Sequence, residues 1–203
     1  MKWIIFSTDG NERLRRLLES GVEHMGNITP VVIVKYSSEE AGAECVRIAH
    51  EYKAYWLAGG DTFRSNTLGA IESVRKDMTL DPMVLLTPDD VVFRAGVNLS
   101  MVWSALQKDI VGVNLALGMS SPCMVEKREL AVRGDQLFMW DLDDVQWFSL
   151  GTIYRTPELL GALCETEWNS LPELVSAVSK SQLPFPGLKM ACQQEPSLEP
   201  QGG

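Results

Sequence analysis

Apolar residues open this chain in short unbroken runs. Each run ends in a polar turn, and apolar residues at helical spacing follow. Trp3-Ile4-Ile5-Phe6 gives way to Ser7-Thr8-Asp9-Gly10. A run this short, bounded by turn signals, reads as a strand. Asn11 then caps a helix whose apolar stripe is Leu14, Leu17, Leu18 and Val22. The second run, Val31-Val32-Ile33-Val34, ends at Lys35-Tyr36-Ser37-Ser38. Ser37 or Ser38 caps a helix to about residue 52, with Ala41, Cys45, Ile48 and Ala49 inward. The third run, Ala54-Tyr55-Trp56-Leu57, passes through Ala58-Gly59-Gly60-Asp61-Thr62 into a helix over 63–76, with Phe63, Thr67, Ala70, Ile71 and Val74 on one stripe. The fourth is Met83-Val84-Leu85-Leu86, closed by Thr87-Pro88-Asp89-Asp90. Three strand–helix units and a fourth strand predict a parallel sheet with right-handed crossovers. Strands apolar on both faces suit a sheet covered on both sides.

Beyond Asp90 the pattern changes. Residues 97–107 predict a helix, and 110–119 a strand or buried loop. Residues 125–130 and 136–140 predict two strands around a turn at Arg133-Gly134-Asp135. Asp141-Leu142-Asp143-Asp144 is an acidic cluster, and residues 145–155 predict a further strand broken at Gly151. Thr156-Pro157-Glu158 opens a helix with Thr156 as cap, and Ser170-Leu171-Pro172-Glu173 repeats that grammar as a capping box. From Ser181 onward, prolines and polar residues predict a partly disordered tail.

In parallel sheets with flanking helices, ligands sit at the carboxyl ends of the strands. Four polar strand ends converge there: Ser7-Thr8-Asp9, Lys35-Tyr36, Gly59-Gly60-Asp61 and Asp89-Asp90. The glycines permit a tight turn or close approach to a ligand. Arg64 lies in the first turn of the helix that follows, where unpaired amides and the positive dipole end favour phosphate. Two adjacent carboxylates near a core repel one another, and a divalent cation carrying a phosphate compensates both. Asp61 and Glu173 each have an equally simple reading as helix caps. Arg13, Arg15 and Arg16 read as a solvated helix face rather than a phosphate clamp.

Composition narrows the classes. The 203 residues suffice for one large domain or two small ones, and 45% hydrophobic with 22% charged residues is ordinary for a globular chain. A net charge of -9 argues against non-specific nucleic-acid or anionic-membrane binding. No apolar run reaches the length of a membrane span, and the first is too short for a signal peptide. Four scattered cysteines without Cys-x-x-Cys spacing fit reduced thiols in a cytoplasmic protein. Two histidines, His24 and His50, leave little for an imidazole zinc site.

In the order and position of these motifs, the chain resembles GT-A-fold glycosyltransferases of the family 2-like group. The resemblance spans roughly residues 1–180. It rests on the short first strand with its polar end, the Val-rich second strand ending in Ser37-Ser38, Gly60 with Arg64-Ser65-Asn66 opening a helix, and the apolar strand ending in acids. Leu85-Leu86-Thr87-Pro88-Asp89-Asp90 is similar to the family's D-x-D region, and Gly151-Thr152-Ile153-Tyr154-Arg155 to its acceptor-side strand. Two departures stand out: Lys35-Tyr36 occupies the place of the acid that holds the base, and Pro88 that of the first acid.

The resemblance implies a GT-A-like, Rossmann-type, mostly parallel sheet flanked by helices, with a small mixed β acceptor half. Residues 1–93 would form the donor-binding half, 94–180 the acceptor half and 181–203 a tail. The implied activity is transfer of a sugar from a nucleotide-diphosphate sugar to a hydroxyl acceptor with Mn²⁺ or Mg²⁺. Donor contacts fall on Ser7, Thr8, Asp9, Lys35, Tyr36, Gly59, Gly60, Asp61, Arg64 and Asp89, and metal ligands on Asp89 and Asp90. An inverting enzyme also needs a carboxylate to deprotonate the acceptor; Asp141, Asp143, Asp144 and Glu173 are candidates, with Asp144 and Glu173 foremost. Trp140 and Trp147 are candidates to stack on a sugar. The small acceptor half leaves room for a homodimer to complete it. A nucleotidyltransferase and an inactive GT-A-like binding protein remain as alternatives.

Overall fold

A computed structural model describes residues 1–9, 11–26, 28–76, 83–107, 109–117, 128–132, 135–141, 148–180, 189–193 and 195–201. Strand β1 (Lys2–Thr8) leads to helix α1 (Asn11–Met25), and β2 (Pro30–Lys35) to α2 (Glu39–Glu51). Next, β3 (Tyr55–Ala58) runs through a 3-10 turn (Gly60–Thr62) into α3 (Phe63–Lys76), and β4 (Met83–Pro88) ends the series. Then come β5 (Val91–Phe93), α4 (Leu99–Leu106), β6 (Ile110–Asn114), β7 (Arg128–Val132), β8 (Asp135–Asp141) and β9 (Thr152–Arg155). The chain closes with α5 (Thr156–Glu165), α6 (Leu171–Lys180), β10 (Lys189–Gln193) and β11 (Leu198–Pro200).

Among the described residues, nine strands share one sheet in the order β3-β2-β1-β4-β9-β6-β10-β8-β7. As the alternation of strands and helices predicts, β1 pairs in parallel with β2 and β4, and β2 with β3. The second half is mixed. β9 runs antiparallel to β4 and β6, and β10 is parallel to β6 but antiparallel to β8. The sheet passes without a break from the parallel strands to the mixed ones through the β4–β9 pairing.

Successive residues of β1 serve opposite faces. Trp3 and Ile5 join Leu14, Leu17 and Leu18 of α1, Cys45 and Ile48 of α2 and Met101 and Val102 of α4 in one core. Ile4 and Phe6 join Ile71 of α3, Leu159 and Leu163 of α5 and Leu174 and Val178 of α6 in the other. β2 and β4 alternate in the same way. This explains their unbroken apolar runs, since both faces are dry. Each fully buried large side chain contributes about 1.5–3 kcal/mol, so the three layers are held chiefly through these strands.

Several expectations are corrected. Val22 is exposed, and Gly42 rather than Ala41 is the buried residue of that turn of α2. β3 is an edge strand, so Tyr55 and Trp56 are exposed at 66% and 42% despite their apolar character. α4 is shorter than expected, with Asn98 as its cap accepting from the Met101 amide. Arg155, not Thr156, holds the N-cap position of α5. Residues 148–150 are not strand. The expected tail contains β10, which lies inside the sheet between β6 and β8, and β11, which pairs with β5. Met190, Ala191 and Cys192 are buried there, although prolines around them hide so short an apolar run. The turn at Arg133-Gly134 lies outside the described residues.

Candidate functional site

The ends of β1 and β2 and the turn after β3 border a cavity of about 410 Å³. Ser7, Thr8, Lys35, Gly60 and Asp61 line it, all expected donor-site residues. Its apolar floor is Phe6, Ile33 and Phe63. The opposite wall is the start of α6, from Asn169 to Pro172. Sequence reasoning did not find that wall, because it lies more than a hundred residues from the strand ends.

Hydrogen bonds fix the rim. Asp9 adopts a positive φ of 50° and its Oδ1 accepts from the Ser37 amide at 2.7 Å, while its own amide donates to the Lys35 carbonyl. These bonds tie the end of β1 to the end of β2, and hydrogen bonding from the Ser37 side chain and then its amide holds the Asp9 carboxyl below its ordinary value. Gly59 donates its amide to the Val34 carbonyl at 2.6 Å. A Cβ there would meet that oxygen at 2.8 Å, so only glycine brings the turn this close to β2. The Ala58 carbonyl accepts from both Thr62 and Asn66, closing the turn on itself. Tyr36, half exposed, instead packs its ring over Gly42 and does not line the cavity.

Asp89 and Asp90 form the turn between β4 and β5, and the structure gives them different characters. Asp89 is buried, and its Oδ2 accepts from the Ser7 hydroxyl at 2.6 Å. Burial pushes its carboxyl above the ordinary range, against the pull of Ser7, the Arg13 charge and the Thr8 amide. Asp90 is exposed. Arg13 is a second contribution the sequence hid. It sits in the first turn of α1 and reaches back to the Thr8 carbonyl at 3.4 Å, so its charge faces Asp89 rather than solvent alone. Cys45 also abuts Ser7, and burial pushes its thiol up, which disfavours a reactive thiolate.

Other expected residues are placed elsewhere. Arg64 donates to the carbonyls of Cys164 and Thr166 at the end of α5 and lies over the Trp168 ring at 5.7 Å. It thus holds α5 against α3. Glu173 accepts from the Asn169 amide at 2.8 Å, while its own amide is 3.4 Å from the Ser170 hydroxyl. That is a capping arrangement one residue wider than the expected box. Trp140 is buried. Asp143, Asp144 and Trp147 lie outside the described residues.

Among the described residues, no group of three or more His, Cys, Asp or Glu side chains is gathered as a metal site. Of the expected pair, Asp90 is the exposed carboxylate, which would suit a hard cation held mainly by phosphate, while Asp89 is committed to Ser7; neither lines the cavity. Among the described residues, no helix is long and apolar enough to cross a membrane.

No family model and no curated protein matches the chain. Solved structures match it in fold. The synthase of 4-diphosphocytidyl-2C-methyl-D-erythritol superposes with a TM-score of 0.54 at 14% identity, over 95% of this chain and 88% of that one. S. aureus TarS 1–349 gives 0.57 at 12% identity, over 99% of this chain and 60% of that one. The same protein in complex with UDP gives 0.56 at 12% identity, over 98% and 59%. The chain therefore spans about 60% of that TarS fragment. The fold is GT-A-like, with a large, mostly parallel central sheet flanked by helices.

Proposed function

We propose that the chain binds a nucleotide-diphosphate sugar in the cavity at the ends of β1–β3 and transfers the sugar to a hydroxyl acceptor. The observation that carries this reading is the convergence of three separate strand ends with the start of α6 on one cavity. Phe6, Ile33 and Phe63 offer an apolar surface to a base or sugar ring. Lys35 supplies positive charge for a diphosphate at the rim. Mn²⁺ or Mg²⁺ at Asp90 would neutralise the departing diphosphate. Deprotonation of the acceptor is assigned to Asp144 or Glu173. Glu173 suits the role only if it leaves the Asn169 amide.

Calorimetry with UDP, with Mn²⁺ and then with EDTA, tests the donor site. Binding with Mn²⁺ and its loss in EDTA are expected. Equal binding in both, or binding in neither, would sink the reading.

One placement favours a second reading, a nucleotidyltransferase. That chemistry wants a basic residue at the loop after the first strand, and Arg13 folds back to the end of β1. The products separate the two: sugar transfer releases nucleoside diphosphate, and nucleotidyl transfer from a triphosphate releases pyrophosphate.

A further inference from the structure

The last described residue, Gln201, grips the Asp89–Asp90 turn. Its amide donates to the Asp90 carbonyl at 2.7 Å. Its side-chain Nε2 reaches three more carbonyls: Asp89 at 3.0 Å, Val91 at 3.0 Å and Arg13 at 2.8 Å. A carboxamide nitrogen carries two protons, so three acceptors use its donor capacity completely. The carbonyls on either side of Asp90 and one from the first turn of α1 thus meet on one side chain. β11 delivers that side chain by pairing with β5 in register Pro200↔Val91, and Arg94 bonds Glu199 at 3.1 Å across the same ribbon.

We propose that Gln201 is a positioning residue that fixes the Asp89–Asp90 turn and thereby sets how tightly the site holds a divalent cation with its nucleotide. This inference rests on the donor reading above. The physical reason is preorganisation: a two-residue turn with both carbonyls pinned presents the Asp90 carboxylate in one place, and a cation that takes few protein ligands gains most from that. Gln201 touches neither cation nor nucleotide. It acts through the backbone of its neighbours.

Two substitutions test it in the full chain. Gln201→Ala removes the side chain, and Gln201→Glu keeps its shape but replaces the donor with an acceptor facing three carbonyls. Glu199→Ala is the control, because it loosens the same ribbon without touching the turn. Amide hydrogen exchange over residues 88–92 is measured without ligand. Both Gln201 variants should exchange about tenfold faster there, the size of one or two lost hydrogen bonds, and the control should not. UDP affinity is then measured with Mn²⁺ and with EDTA. Both Gln201 variants should lose about tenfold in the Mn²⁺-dependent part, again from one or two lost hydrogen bonds. Glu199→Ala should keep that part whatever its change in Tm. Unchanged exchange at the turn overturns the clamp. Faster exchange with an unchanged Mn²⁺ dependence overturns the positioning role. A wild type that binds no UDP with Mn²⁺ overturns the donor reading and, with it, the link to the cation, while the exchange data still show whether the clamp exists.

Discussion

Asp89 is the residue at which burial and charge oppose each other most directly. Its carboxyl lies in a dry site with one hydroxyl donor, and burial raises its pKa despite the nearby Arg13. The folded state therefore holds its proton to higher pH than the unfolded chain, whose carboxyl titrates at about 3.9. As pH rises from that value through the raised folded pKa, the unfolded state loses its proton first, so this residue's contribution to stability falls. Asp89→Asn keeps an acceptor for Ser7 and removes the charge. Thermal melts across pH should show the variant ahead of wild type at pH 7, with the gap closing toward pH 4. A constant gap, or none, would contradict the assignment. The adjacent pair was legible in the sequence, but the difference between its members was not. Both read as carboxylates, and only the position of Ser7 on the neighbouring strand makes one buried and the other free.

At the scale of elements, α1 and β1 fit through one close approach. The Trp3 ring is buried, its Nε1 donates to the Thr87 hydroxyl at 2.8 Å, and its edge meets Phe93. A Cβ on Gly21 would stand 2.3 Å from that ring. Alanine is the better helix former by about 1 kcal/mol, but the ring cannot yield without disturbing β1 and β4. Gly21→Ala is therefore expected to destabilise the protein by about 1–3 kcal/mol, as overpacking does, read as a lower urea midpoint at unchanged m-value. A neutral or stabilising result would mean that Trp3 has room to move. Helical periodicity found α1, and unbroken apolar runs found β1, β2 and β4. Val22 was misassigned because periodicity places it on the stripe and cannot see where the sheet ends.

At the scale of the whole molecule, the end of the chain completes the middle of the sheet. β10 pairs with both β6 and β8, and its Met190, Ala191 and Cys192 are buried. A chain ending at residue 188 would leave two sheet edges facing a gap and remove the β11 ribbon from β5. Far-UV circular dichroism should show no cooperative melt for it, and a native-like transition would refute the central place of β10. What the sequence determined by itself was local and alternating: four strands, three helices at one spacing, and polar residues where each strand stops. These follow from side-chain periodicity, which acts over neighbouring residues. The cavity wall at α6, the turn of Arg13 toward Asp89, the diversion of Arg64 to α5 and the closure of the sheet by β10 were decided only by tertiary structure. Each depends on which surfaces meet after long loops close, and no local pattern encodes that meeting.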